Sequence, residues 1–177
     1  FFSQFTASDP VDTVPTQPRW SEPAEMRTTY PIKEGEETGR RSSVTVNWLL
    51  FPVTDPYRVL SLEVLTEILM GNSGSPLQKA LVESGLGEDL SAPSGLETEL
   101  MELVFSVGLR GTDAEAKADI ETLIFDTLRA LRDDGIDPEI LEGALRKVEF
   151  RNREIRSGGP FGLRLMRRAM RGWLHGA

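Results

Sequence analysis

The stretch LMGNSGSPLQKALVESGLGEDL, Leu69–Leu90, decides how the rest of the chain is read. It closes an apolar helix, turns on glycines, restarts a helix at Ser75-Pro76 and stops on Gly85 and Gly87. Gly71 suits a left-handed helix C-cap and Asn72-Ser73-Gly74 has turn composition. Serine followed by proline is a helix start, because proline lacks an N–H that the first turn could not satisfy anyway. Leu77, Ala80 and Leu81 then share one face. A glycine turn before a helix can cradle phosphate. Here no Gly-Lys-Ser/Thr follows and the turn joins two helices, so it reads as structural punctuation.

Upstream, VTVNWLLF (Val44–Phe51) alternates at Val44, Val46, Trp48 and Leu50 and then fills its second face, which predicts a strand buried on both sides toward its end. Asp55-Pro56 opens a helix to about Met70 with apolar residues nearly all round, as expected of a helix buried in a large body. Residues 1–24 carry Pro10, Pro15, Pro18 and Pro23 with no apolar period and read as an extended linker. The opening FFSQF resembles the end of a helix, and Met26–Ile32 is expected as a short edge strand, where Pro31 is tolerated.

Downstream, Glu88–Ala92 is expected as a short strand, Pro93-Ser94-Gly95 as a bend and Leu96–Met101 as its continuation. Leu103, Phe105, Val107 and Leu109 alternate with Glu102, Val104, Ser106, Gly108 and Arg110, the pattern of a half-exposed strand. Thr112 with Glu115 forms a capping-box pattern before a helix carrying Ile120, Leu123, Ile124, Leu128 and Leu131, which Gly135 stops. Asp137-Pro138 starts another, with Leu141, Ala144, Leu145, Val148 and Ile155 on one face, up to the break Gly158-Gly159-Pro160. A last helix, Phe161 to about Leu174, is expected to bury Leu163, Met166, Met170 and Trp173 and to expose four arginines. The order predicts an α+β fold, an antiparallel-rich sheet with its helices on one face, as one domain over 25–177.

Composition narrows the chemistry. With 39% hydrophobic and 27% charged residues, the 177-residue chain has the make-up of a globular protein with a core. No apolar run reaches the length of a membrane span, so no membrane partner is expected. There is no cysteine and a single histidine, His175, which excludes disulfides, thiol catalysis and a cysteine-ligated zinc, and leaves too few ligands for any catalytic metal. Ser-His-Asp chemistry meets the same shortage. Net charge is −8, yet residues 144–177 hold nine Arg/Lys against two acids. That basic tail lacks interleaved aromatics, so it is read as a face that pairs with acidic surface rather than as a nucleic-acid site. Glu97, Glu99 and Glu102 are read as ordinary solvent-facing strand residues rather than an acid–base pair. Phe1 reads as an internal point of a longer protein, and without a visible targeting segment the expected location is cytoplasmic.

LMGNSGSPLQKALVESGLGEDL resembles the second domain of the pitrilysin/insulinase-type zinc peptidases, particularly the presequence-protease branch. VTVNWLLF precedes it, and ELVFSVGLRGT and GPFGLRLMRRAMRGWLHG follow in the same order as in that family. Together they cover about Val44 to Gly176, and PTQPRWSEP is similar to the family's linker from its first domain. The resemblance implies a mitochondrial processing peptidase-like α+β fold, in a protein whose halves close around an unfolded peptide. The family's zinc motif, His-x-x-Glu-His with a further Glu downstream, lies in its first domain and is missing from this sequence. What is implied is therefore a non-catalytic domain with no catalytic and no metal residue, and with zinc held by the preceding domain of the parent. It would wall the catalytic chamber and help hold short unstructured peptides. The alternative is a scaffold or assembly subunit of the same fold. By analogy with insulin-degrading relatives, Ser91, Ala92, Pro93, Ser94 and Gly95 are the candidate substrate-binding residues, through strand addition, although Pro93 removes one donor. The partners implied are the remaining domains of the same chain and peptide substrates. Self-association of the isolated chain through its exposed apolar helices is expected as well.

Overall fold

The computed structural model describes residues 4–6, 15–37, 39–154 and 160–176. Residues 1–34 and 35–177 separate into two units. Within the first, the described residues from 15 on carry no helix or strand. The strand expected at Met26–Ile32 is absent: the backbone there is exposed, and Pro31 brings no donor to a ladder. The part of FFSQF before Gln4, and Pro10, lie outside the described residues.

The second unit is an α+β domain. β1 (Ser42–Pro52) and β4 (Glu102–Thr112) form a long antiparallel pair with Val46 opposite Val107 and Trp48 opposite Phe105. On the other side of β4 lie two short strands, β2 (Asp89–Leu90) and β3 (Gly95–Glu97), both antiparallel to it. Among the described residues five α-helices complete the unit: α1 (Pro56–Met70), α2 (Pro76–Glu83), α3 (Lys117–Asp134), α4 (Pro138–Arg153) and α5 (Phe161–Leu174). Their starts follow the sequence: Asp55 accepts from Arg58 N–H and Asp137 from Glu139 N–H, each before a proline.

One face of the sheet carries the core. Leu69, Leu77, Leu81, Val107, Leu109, Ile120 and Ile124 form a single buried cluster, joined by Val44, Val46 and Trp48. Trp48 packs against Phe105 in a tilted contact and against Phe125 edge-on, at 5.7 and 5.9 Å between ring centres. α4 packs on the far side of α1, where Val64, Ile68, Ala144 and Val148 make a second, smaller cluster.

Several local expectations are corrected. β4 is not half-exposed: it is the central strand, so Ser106 and Glu102 on its second face are buried as well. Glu102 is therefore not solvent-facing. Thr112 does not cap a helix; it ends β4 fully buried, its Oγ1 without a hydrogen-bond partner, and a 3₁₀ turn, Ala114–Ala116, leads into α3. Gly71 is right-handed, with φ −74°. Its need for glycine is space, since a Cβ would lie 2.3 Å from the Glu67 carbonyl oxygen and 1.8 Å from Glu67 Oε1. α1 buries only Val64, Glu67, Ile68 and Leu69, leaving Leu60 and Leu65 exposed. Most consequentially, α5 is turned the other way round. Leu163, Met166 and Trp173 are 50%, 50% and 70% exposed and Met170 is half-buried, while Arg164, Arg167, Arg168 and Arg171 line a cleft against the rest of the domain. Ile155 and the Gly158-Gly159 break lie outside the described residues.

Candidate functional site

The segment Ser91–Gly95 interrupts the edge strand between β2 and β3. Its polar groups are spent on the sheet beneath it. Ser91 N–H donates to the Gly108 carbonyl at 2.9 Å, and the Ser91 and Ser94 hydroxyls meet at 2.9 Å. Thr45 on β1 reaches Ser91 Oγ at 3.4 Å, across β4. That crossing is short because position 108 is glycine: a Cβ there would lie 1.9 Å from the Val44 carbonyl oxygen. Ser91 is consequently buried, and the exposed tip is Ala92-Pro93. Gly95, with φ +137°, returns the chain to the ladder opposite Ser106. The segment thus offers backbone and two small apolar side chains, with its serines already committed.

Next to it opens a feature that sequence reasoning did not find. Leu96 on β3, with Thr98 and Glu99 just past it, forms one wall of a cleft of about 700 Å³ whose other walls are α1, α4 and α5. Glu67 of α1 lies at its base, its side chain 8% exposed, pairing with Lys147 and with Arg151 at 3.4 Å. Lys147 also donates to the Gly71 carbonyl at 2.8 Å, which ties α4 to the end of α1. Higher up, Arg167 pairs with Glu99 at 3.3 Å, and Arg171 donates to the Thr98 hydroxyl. The basic tail does pair with acids of its own chain. No sequence signal could assemble this site, because Glu67 and Arg151 are 84 residues apart.

The glycine turn of Gly71–Ser75 is occupied by its own side chains. Ser75 Oγ accepts from Asn72 N–H and Asn72 Oδ1 from Gly74 N–H, so these donors of the turn already face protein groups. Among the described residues no three His, Cys, Asp or Glu side chains are grouped to hold a metal ion. One histidine and no cysteine in the whole sequence do not fit a catalytic zinc within this chain.

The comparisons with known proteins agree with the fold. Residues 1–148 match a family model described as Peptidase M16 inactive domain. Presequence protease 1, chloroplastic/mitochondrial, of Arabidopsis thaliana is 37% identical over 161 residues, covering 90% of this chain and 15% of that protein. The mitochondrial presequence proteases of Xenopus laevis and Mus musculus are 31% and 32% identical, each over 174 residues, 98% of this chain and 17% of theirs. The chain thus spans 15–17% of the length of these relatives. Their names also correct the expected location. The relatives are organellar proteins, not cytoplasmic ones, and a visible leader is no guide in a chain that covers so little of their length.

Proposed function

Because this chain belongs to the Peptidase M16 inactive-domain family, we propose that it is the non-catalytic second domain of a longer zinc metallopeptidase that degrades short unstructured peptides. The observation that carries this reading is the match to presequence proteases along nine-tenths or more of the chain. In this role residues 25–177 are the domain and 1–24 the linker from the zinc-binding domain. The chain supplies shape rather than chemistry: it walls the chamber, and Ser91–Gly95 meets substrate through its backbone and the Ala92-Pro93 tip. Strand addition suits an enzyme of broad specificity, since backbone groups pair with any sequence. The remaining domains of the same chain cover the exposed Leu60, Leu65, Leu163 and Trp173. Separated from them, those residues drive self-association.

The test is the full-length protein. It is expected to carry His-x-x-Glu-His in the domain before this one and to hydrolyse short unstructured peptides in a chelator-sensitive way. A full-length protein that lacks the motif and cleaves nothing, yet assembles normally, would instead establish the scaffold reading.

A further inference from the structure

The ion pairs of the cleft between α1, α4 and α5 do not use up its charge. Among the described residues six cations line it (Lys147, Arg151, Arg164, Arg167, Arg168 and Arg171) against three carboxylates, Glu63, Glu67 and Glu99. Three positive charges are left over, in a chain whose formal net charge is −8. The pairing pattern locates the excess. Glu67 alone answers both Lys147 and Arg151. Arg168 reaches Glu63 only at 3.9 Å and donates to the neutral Asn152. Arg164 donates to the Glu154 carbonyl at 2.9 Å, and Arg171 to the Thr98 hydroxyl. Such partners orient a guanidinium without cancelling its charge.

The orientation of α5 is an independent observation. Burying its apolar stripe would have turned Leu163, Met166 and Trp173 inward; the arginine side faces the cleft instead. The cleft is also not purely polar. Met70, Leu96, Phe161 and Leu165 contribute apolar lining, and its volume of about 700 Å³ falls within the usual range of ligand sites. Apolar lining beneath forked, permanently charged guanidinium groups suits a chain with carboxylates, because each fork can hold both oxygens of one carboxylate.

We propose that this cleft binds peptide carboxylates, and so favours acidic peptide segments among the substrates; this rests on the peptide-degrading role proposed above. The carboxylate can come from Asp or Glu side chains or from the free C-terminus, and the cleft reads the same group in both. Arg164 and Arg171, whose present partners are neutral, are the residues expected to take it.

The test uses the full-length protein with chelator present, so that peptides bind without being cut. Fluorescence anisotropy follows four labelled peptides of one sequence, carrying several Glu or the matching Gln, each with a free or an amidated C-terminus. At low salt the Glu peptides are expected to bind about tenfold more tightly than the Gln peptides, as charge-assisted contacts in a half-open cleft allow. A gain for the amidated Glu peptide assigns side-chain carboxylates; a gain of the free over the amidated Gln peptide assigns the C-terminus. The double variant R164Q/R171Q, if it melts like the parent, is expected to lose the preference. Arg129→Gln, on exposed α3 surface, is expected to keep it. Equal binding of all four peptides to the unaltered protein overturns the proposal, as does a preference that survives R164Q/R171Q. Hydrolysis measured separately with metal restored keeps the two readings apart: cleavage without carboxylate preference sinks only the cleft assignment, and no cleavage of any peptide sinks the peptidase role.

Discussion

The two sides of α1 are held by opposite chemistry. Toward the sheet, its end joins Leu77, Leu81, Val107, Leu109, Ile120 and Ile124, each with no exposed surface, in a dry apolar cluster. Toward α4, four small or medium apolar residues suffice, and beyond them the contact becomes a carboxylate shared by two cations and an open basic cleft. A closed apolar cluster is insensitive to salt and has room for nothing else. A charged cleft is looser, screened by salt and able to exchange an internal partner for an external one. Buried apolar contact is thus concentrated on one side of the helix, and charge on the other.

The comparison can be broken from its strongest side first. Leu81→Ala removes a fully buried side chain and is expected to cost about 2–5 kcal/mol, read by denaturant unfolding and unchanged by salt. A loss below about 1 kcal/mol would mean that the sheet side is not the stable half. Gly108→Ala puts a Cβ against the Val44 carbonyl, and overpacking of this kind is expected to cost about 1–3 kcal/mol, with β1 displaced. On the cleft side, Glu67→Gln frees two cations that are themselves half exposed. The expected loss is about 1–2 kcal/mol, and here added salt is expected to reduce it. A salt-independent loss would contradict the division.

The smallest effect is at the sheet's edge. The Leu90 backbone N–H, and after it Arg110, hold the Asp89 carboxyl below its usual range. A carboxylate lowered on folding stabilises the native state at neutral pH, and that contribution disappears as pH falls below the ordinary aspartate value of about 3.9. Arg110→Ala is expected to move this acid limb slightly toward higher pH. An unchanged limb would show that Arg110 adds nothing to Asp89.

This division also explains what the sequence made legible. The sheet side rests on local periodicity: alternation at Val44, Val46 and Trp48 and helical spacing at Ile120 and Ile124 declare both an element and its buried face. On the cleft side the same reasoning named every helix and yet misplaced a face. The period of α5 reveals two stripes, but which one turns inward depends on Glu63, Glu99 and Thr98, which are distant in sequence. Residue type misled in the same way at Gly71, where glycine answers to crowding by the Glu67 carbonyl and side chain rather than to backbone handedness, and at Thr112, whose hydroxyl is buried at a strand end. In the candidate segment the bend was legible at Pro93-Ser94-Gly95, whereas Ser91 and Ala92 were read as strand and the commitment of the serines to β4 was not legible.

In the role proposed above, this chain lends a peptidase its walls and none of its chemistry. This is tested most directly on purified residues 1–177, with near-ultraviolet circular dichroism to establish the fold, by measuring bound zinc and hydrolysis of a short unstructured peptide. The expected result is no stoichiometric zinc and no hydrolysis, while the full-length protein cleaves the same peptide. Chelator-sensitive hydrolysis by the chain alone would contradict it.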